Sequence, residues 1–533
     1  MSRDKKVSSQ QLRLIDLPQE RSKLTKKVAQ PLTSAQRLGS IIKSARDIMR
    51  KDKGLNGDLD RLPMLTWVMF LKFLDDHEQI RAEEAARDHR LYREAIEYPY
   101  RWRDWAAGPA GITGDALKEF INRDEAMRPD GSRGPGLFFY LRSLKSIEGA
   151  ELRAVIANVF HGISNRMESG HLLRDVINKV NDIHFAASDE IHTLSRLYET
   201  MLKEMRDAAG DSGEFYTPRA VVRFMVAALN PRLGETVLDP ACGTGGFLVE
   251  AFEHLRQQCH TAEDRDILQR RSVLGGEAKS LPYLLAQMNL LLHGLETPHI
   301  KFGNSLAAPL DEIDDREWVD VVLTNPPFGG EEENSIQDNF PSDKQTTETV
   351  LLFLQLIMRR LRRQPTPGRA GVVVPNGALF AGGVAARIKE ELLTEFNLHT
   401  IVRLPTGVFA PYTSISTNLL FFDRSGPTRD IWYYEQPKPN GRKNYTKTQP
   451  MQFEEIADCL QWWDNREESE RAWCVPAVDV LANSCNLDIK NPRSKQDLEH
   501  MPPEQLVASI LEKEQRIIEL MEEIRAMVSG GRQ

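Results

Sequence analysis

Between about residues 211 and 423 the apolar pattern switches repeatedly between two periods, and this switching restricts the fold more than any other feature. The runs ETVLDPA, RSVLGGE, HIKFGNS, VDVVLTN, AGVVVPN, HTIVRLP and TNLLFFD are short, rich in β-branched residues and bounded by turn formers, as buried strands are. Between them, GFLVEAFEHLRQQC, PYLLAQMNLLLHG and TVLLFLQLIMRRLRR place apolar residues at three- and four-residue steps, which predicts helices. Such alternation needs crossover connections, so the expected fold class is α/β with a doubly wound, mostly parallel sheet. Upstream, the helical period holds through LTSAQRLGSIIKSARDIMR, LRAVIANVFHGI and EIHTLSRLYETMLKEMRDA, which predicts an all-α N-terminal domain over 33–210.

In a doubly wound sheet the ligand lies past the carboxyl ends of the strands, so those ends carry the candidate residues. The first reads LDPACGTGGF. Its Gly243, Gly245 and Gly246 permit a tight turn and close approach to a ligand, and the next helix presents free N–H groups there. Neither the G-x-G-x-x-G order nor the Lys-Ser/Thr of a P-loop is present. Asp239, at the strand end, repels a phosphate and attracts a cationic amino group. The second strand ends at Glu277, an acceptor for a ribose diol, and the third at Asn304, an amide placed to read an adenine edge. An acid for an ammonium, an acid for a ribose and an amide for adenine describe S-adenosylmethionine better than NAD or ATP.

The fourth strand runs into TNPPF, where two prolines hold the chain extended and donate no N–H. The Asn325 side chain and the Pro326 carbonyl are then two acceptors able to converge on an exocyclic amine, with Pro327 stiffening the turn. Such bonds favour a pyramidal nitrogen with a localised lone pair, which is preorganisation for attack on a methyl group. Phe328 is placed to stack on the base that carries the amine. The catalytic set expected is therefore Asn325, Pro326, Pro327 and Phe328.

The segments GEFYTPR, LDPACGTGGFL, AQMNLLLHG, GNS and TNPPF, in this order, resemble the modification subunit of type I restriction-modification systems, an adenine-N6 DNA methyltransferase family. The resemblance spans roughly residues 33–492. It implies a Rossmann-like, S-adenosylmethionine-dependent methyltransferase domain over 211–440. It further implies that Glu214, Phe215, Tyr216, Thr217, Pro218 and Arg219 contact the cofactor together with Thr244, Gly245, Gly246 and Glu277. The acidic run at 331–333 has no role in this scheme.

A paired base cannot reach such a site, so the target adenine must be everted at a cost of about a few kcal/mol. The net charge of -8 argues against one chain gripping DNA unaided, and no segment reads as a sequence-recognition domain. The resemblance supplies the partners: double-stranded DNA, a specificity subunit, a second copy of the chain and a restriction subunit. The C-terminal region, 441–533, ends in a helix whose Leu506, Ile510, Ile517, Leu520, Ile524 and Met527 form a heptad seam interrupted by Lys513, a candidate for docking to a partner. Residues 1–32, polar and without apolar period, are expected to be a disordered tail.

The longest N-terminal apolar run, MLTWVMFLKFL, is far shorter than the roughly 20 residues of a membrane span, and the first residues lack a signal-peptide pattern. A cytoplasmic location with no membrane partner is expected. The five cysteines form no C-x-x-C pair, which argues against a zinc site or disulfide framework, and no metal is expected. Two competing readings are an amino-group methyltransferase acting on RNA or protein and a non-catalytic DNA-binding scaffold; the large helical domain and the intact NPPF and glycine segments speak against them.

Overall fold

The computed structural model describes residues 33–493, except 109–110, 146, 148–151, 186–187, 209–216, 411–412, 414, 439–443 and 447, together with residues 514, 515 and 521. The tail expected over 1–32, every seam residue of the heptad-patterned C-terminal helix, and Glu214, Phe215 and Tyr216 lie outside the described residues.

The first part of the described chain is helical, with the helices Ser34–Met49, Asp58–Arg87, Leu152–His161, Gly170–Asn181 and Ser188–Ala208 as its main members. Thr33 caps the first of these in a reciprocal box with Gln36. MLTWVMFLKFL is the buried centre of Asp58–Arg87, and Lys72 is held there by Asp76 at 2.5 Å. One short hairpin, β1 (Glu125–Met127) paired with β2 (Arg133–Pro135), interrupts the helices. Helical periodicity gives no hint of it, because each strand has three residues and most of them are exposed. No helix among the described residues is long and apolar enough to cross a membrane.

The remaining strands are β3 (Val237–Asp239), β4 (Val273–Glu277), β5 (His299–Phe302), β6 (Val321–Thr324), β7 (Arg369–Pro375), β8 (Asn397–Arg403), β9 (Thr417–Asp423), β10 (Asp430–Glu435) and β11 (Ala472–Pro476). They form one sheet in the order β11-β10-β8-β9-β7-β6-β3-β4-β5. The β7-β6-β3-β4-β5 half is parallel throughout. On the other side β9 runs antiparallel between β7 and β8, and β11 pairs antiparallel with β10. The sheet thus reaches past residue 440, where the sequence places the end of the methyltransferase domain.

The chain leaves β3 towards β4 and β5, then returns to β6 on the opposite side of β3. That reversal opens a crevice at the carboxyl ends of β3 and β6. Residues along β6 alternate between two cores: Val321 and Leu323 face one cluster, Val322 the other. Burial on both faces explains why the run is continuously apolar.

The larger core is shared between the helical region and the sheet, running from Leu38, Trp67 and Phe160 through Tyr283, Leu284 and Leu291 to Val237 and Leu323. Helix Ser280–Leu292 is its hinge pin. Every residue from Pro282 onward is buried, since it packs on Asp58–Arg87, Leu152–His161 and Ser188–Ala208 as well as on β4 and β5. An all-round apolar helix is what such a position requires.

The glycine pair in β4 lets the loop after β3 lie against the sheet. The Cys242 amide donates to the Gly276 carbonyl at 3.0 Å. A Cβ on Gly275 would stand 2.9 Å from Leu248 Cδ1; one on Gly276 would collide with Ser305 Oγ and meet the Pro240 carbonyl oxygen at 3.0 Å. Gly276→Ala is therefore expected to destabilise the fold by about 1–3 kcal/mol through overpacking, read as a lowered denaturant midpoint at unchanged slope.

Candidate active site

Three loops meet at the crevice and are tied together by side chains. After β3 the chain turns through Gly243 at φ 54 and Gly245 at φ 78, both in the left-handed region, before helix Gly246–Arg256 begins. The turn is anchored from two sides. Glu277 accepts from the Gly243 amide at 3.0 Å and from the Lys279 amide at 2.7 Å, and the fully buried Asn289 donates Nδ2 to the Thr244 carbonyl at 3.0 Å. The Ser305 hydroxyl, after β5, donates to the Pro240 carbonyl at 2.6 Å. This leaves the first amides of the helix at the edge of the crevice, where a helix N-terminus favours negative or acceptor groups.

Asp239 closes the floor. It is 1 % exposed and accepts from the Thr324 hydroxyl at 2.7 Å and the Ala241 amide at 3.1 Å. Burial raises its carboxyl from 3.8 to about 7; the two hydrogen bonds oppose the shift and nearby Glu277 adds to it. Burial lifts the Glu277 carboxyl as well, against the pull of its backbone donors.

Thr324 is followed directly by Asn325, which stands at the edge of the same crevice. Its Nδ2 donates to Thr217 Oγ1 at 3.1 Å. Its Oδ1 is buried and has no hydrogen-bond partner among the described residues. An acceptor kept dry and unpaired costs about 1–3 kcal/mol, a cost that only a donor from elsewhere relieves. Pro326 is buried, Pro327 and Phe328 are half-buried, and the Phe328 ring meets Phe409 edge to face at a centroid distance of 5.9 Å.

A cavity of about 400 Å³ opens beside Asp239, the glycine turn and Asn325, while Pro326, Pro327 and Phe328 are not part of its lining. Of the residues the sequence singles out, Thr217, Pro218, Arg219, Asp239, Gly243, Thr244, Gly246 and Asn325 line it. Gly245 shapes the turn and Glu277 braces it from behind, neither lining the space itself. Arg219 reaches the Gly246 carbonyl at 3.0 Å and forms an ion pair with Glu199 of helix Ser188–Ala208, so the helical region grips the glycine loop directly. Asn304 stands apart: its Oδ1 accepts from the Leu306 amide at 2.9 Å and its Nδ2 donates to Glu332 at 3.2 Å. Glu332 also lies 3.5 Å from the Thr349 hydroxyl, which gives the central residue of the acidic run a part in holding the loop after Phe328.

Several residues of the site escape a reading by strand ends. Asn289 is a polar residue inside a wholly buried apolar helix, which is the signal that marks it. Phe409 lies in a loop without periodicity. The lining contributed by Met451, Gln452 and Phe453 comes from beyond the expected domain boundary, with Arg223 stacked over Phe453 at 4.4 Å. Among the described residues, no group of three or more His, Cys, Asp or Glu side chains is arranged to hold a metal ion.

Two family models match the chain: "N-6 DNA Methylase" over residues 189–501 and "HsdM N-terminal domain" over residues 38–180. The methylase subunit of the type I restriction enzyme EcoEI from Escherichia coli is 47% identical over 504 residues, covering 93% of this chain and 98% of that one. Among solved structures, a modification subunit of a candidate type I restriction enzyme from Vibrio vulnificus YJ016 superposes with a TM-score of 0.79 at 66% identity, covering 88% of this chain and 100% of that chain. A chain from a structural study of assembly and conformational transition in the type I R-M system superposes with a TM-score of 0.77 at 39% identity, covering 94% of this chain and 100% of that one.

The raised carboxyl of Asp239 carries a stability signature. An unfolded aspartate ionises near 3.8, whereas this one holds its proton to about 7. Between those values the folded chain binds more protons than the unfolded one, so stability falls as pH rises and levels off above about 7. Asp239→Asn keeps an acceptor for Thr324 and Ala241 and cannot ionise. It is expected to raise the unfolding midpoint slightly at about pH 5 and most at about pH 8, measured by calorimetry across that range.

Proposed function

We propose, for a chain that belongs to the N-6 DNA methylase family as a type I modification subunit, that this crevice transfers a methyl group from S-adenosylmethionine to the N6 amine of adenine in double-stranded DNA. The observation that carries the site assignment is the Asn325 carboxamide: one end is held by Thr217, the other is a dry acceptor with no donor.

The residues fit the cofactor. The cavity volume of about 400 Å³ lies in the range of small-molecule sites, roughly 300–1,000 Å³. Asp239, once ionised, is an acceptor for the ammonium of the methionine portion, and a cation beside it draws its carboxyl back down. Gly243 and Gly246 leave bare backbone for close approach, with Thr244 beside them and Gly245 shaping the turn. Glu277 and Asn304 lie outside the lining of this space, Glu277 bound to the Gly243 and Lys279 amides and Asn304 to Leu306 and Glu332, so the fit rests on Asp239, the glycine turn and the 217–219 segment, and contacts of Glu277 and Asn304 with a ribose and an adenine stand as proposals. Thr217, Pro218 and Arg219 line the same space, and Glu214, Phe215 and Tyr216 complete that segment of the proposal. When bound, S-adenosylmethionine supplies an activated methyl group on its sulfonium sulfur.

Asn325 Oδ1 and the Pro326 carbonyl accept the two N–H bonds of the target amine, which directs the nitrogen lone pair at the methyl group. Pro327 keeps the turn stiff, and Phe328 stacks on the everted base with Phe409 bracing its edge.

Base eversion needs binding energy this acidic chain is ill suited to supply alone. The subunit therefore acts in a type I restriction-modification complex, with a specificity subunit choosing the site, a second copy of the chain, and a restriction subunit joining for cleavage of unmodified DNA. The activity protects the host's own sites, and the complex works in the cytoplasm.

The chain, mixed with the specificity subunit of its system, DNA and radiolabelled S-adenosylmethionine, is expected to place the label in N6-methyladenine. Asn325→Ala is expected to lower transfer roughly a hundredfold or more while the cofactor dissociation constant, read by calorimetry, stays within about twofold. Label in another base contradicts the activity; equal loss of binding and transfer contradicts the role of Asn325.

A further inference from the structure

We infer that Thr217 is a positioning residue for transfer: its hydroxyl, 3.1 Å from Asn325 Nδ2, holds the plane of the amide whose other end, Oδ1 in this structure, meets the target amine. The inference rests on the function proposed above and adds a residue that acts through Asn325.

A carboxamide has two nearly isosteric ends, and rotation about its last torsion is broad and roughly two-fold. Nothing in Asn325 itself fixes the plane in which its amide meets the substrate. The orientation matters, because an acceptor there attracts the N–H bonds of an amine, whereas an NH2 group opposes them. The hydroxyl at 3.1 Å from Nδ2 engages the nitrogen end, and the oxygen end is the buried atom without a donor among the described residues. A hydrogen bond between residues 108 positions apart thus holds the plane of the amide; because a hydroxyl both donates and accepts, it is the plane, not the choice of end, that the contact sets.

The backbone that carries the hydroxyl is held by its neighbours. Pro218 restricts Thr217 to extended backbone and caps helix Arg219–Leu229. Arg219 is tethered to the Gly246 carbonyl at 3.0 Å and paired with Glu199. The short segment 217–219 therefore ties the Asn325 amide to the same framework that holds the glycine loop. This differs from the cofactor contact that the sequence resemblance assigns to Thr217, and the two roles separate experimentally.

The test compares Thr217→Val, isosteric and without the hydroxyl, with Thr217→Ser in the assembly that supports wild-type transfer. Thr217→Val is expected to lower kcat for N6 methylation about tenfold, the size of one lost hydrogen bond, with the S-adenosylmethionine dissociation constant from calorimetry within about twofold of wild type. Thr217→Ser is expected to restore kcat to within about threefold of wild type. If Thr217→Val lowers the unfolding midpoint, Thr217→Ala is read in its place under the same criteria. The inference is overturned if kcat is unchanged, if serine fails to rescue, or if cofactor affinity drops as far as kcat. A wild-type arm that methylates no adenine N6 overturns the proposed function as well, and is distinguished by failing before any variant is compared.

Discussion

The hydrogen bond from the Thr324 hydroxyl to the Asp239 carboxyl, 2.7 Å long, joins the two strand ends on which the site is built. Asp239 ends β3 and Thr324 ends β6, the neighbours between which the order of the sheet reverses. The bond offsets part of the penalty of a buried carboxyl and at the same time fixes where β6 stops. Asn325 is the next residue, so its amide inherits that position. The two groups to which the proposed function gives separate roles, the Asp239 carboxyl and the Asn325 amide, are thereby placed relative to one another by a single contact between adjacent parallel strands.

The helical region is part of the same solid. Helix Ser280–Leu292 belongs to the larger core on every side, and Tyr198 of the helical region lies within 3.5 Å of the Leu285 carbonyl. Asn289 on that helix holds Thr244, and Glu199 on Ser188–Ala208 holds Arg219 against the glycine loop. The helical region thus reaches the glycine loop through the Glu199–Arg219 pair, and the helix it packs on reaches the same loop through Asn289. Arg81 adds an ion pair to Glu296 across the same boundary at 2.7 Å, exposed enough to contribute little stability.

Much of the fold was legible because parallel strands buried on both faces must be short and apolar. The runs containing Val237, Val273, Val321 and Val373 each fall in a strand of one sheet. The strand ends were legible for the related reason that glycine, proline, aspartate and asparagine have few uses inside a sheet. What remained hidden depends on contacts distant in sequence. The antiparallel placement of β9 leaves no trace in periodicity, and β11 joins the sheet only because β10 offers it an edge. The bond between Thr217 and Asn325, the grip of Asn289 on Thr244 and the lining by Met451 and Phe453 are tertiary facts of this kind. Glu332 seemed idle as one of three consecutive acids; its partner Asn304 lies 28 residues away and a strand apart.

The central claim is that the Asn325 carboxamide oxygen receives the amine of the everted adenine. A structure of the DNA-bound assembly with S-adenosylmethionine, at a resolution that orients side-chain amides, tests it directly. The adenine N6 should lie about 2.7–3.2 Å from Asn325 Oδ1, with Phe328 against the base. An everted adenine whose N6 contacts other groups while Oδ1 stays unpaired would contradict it.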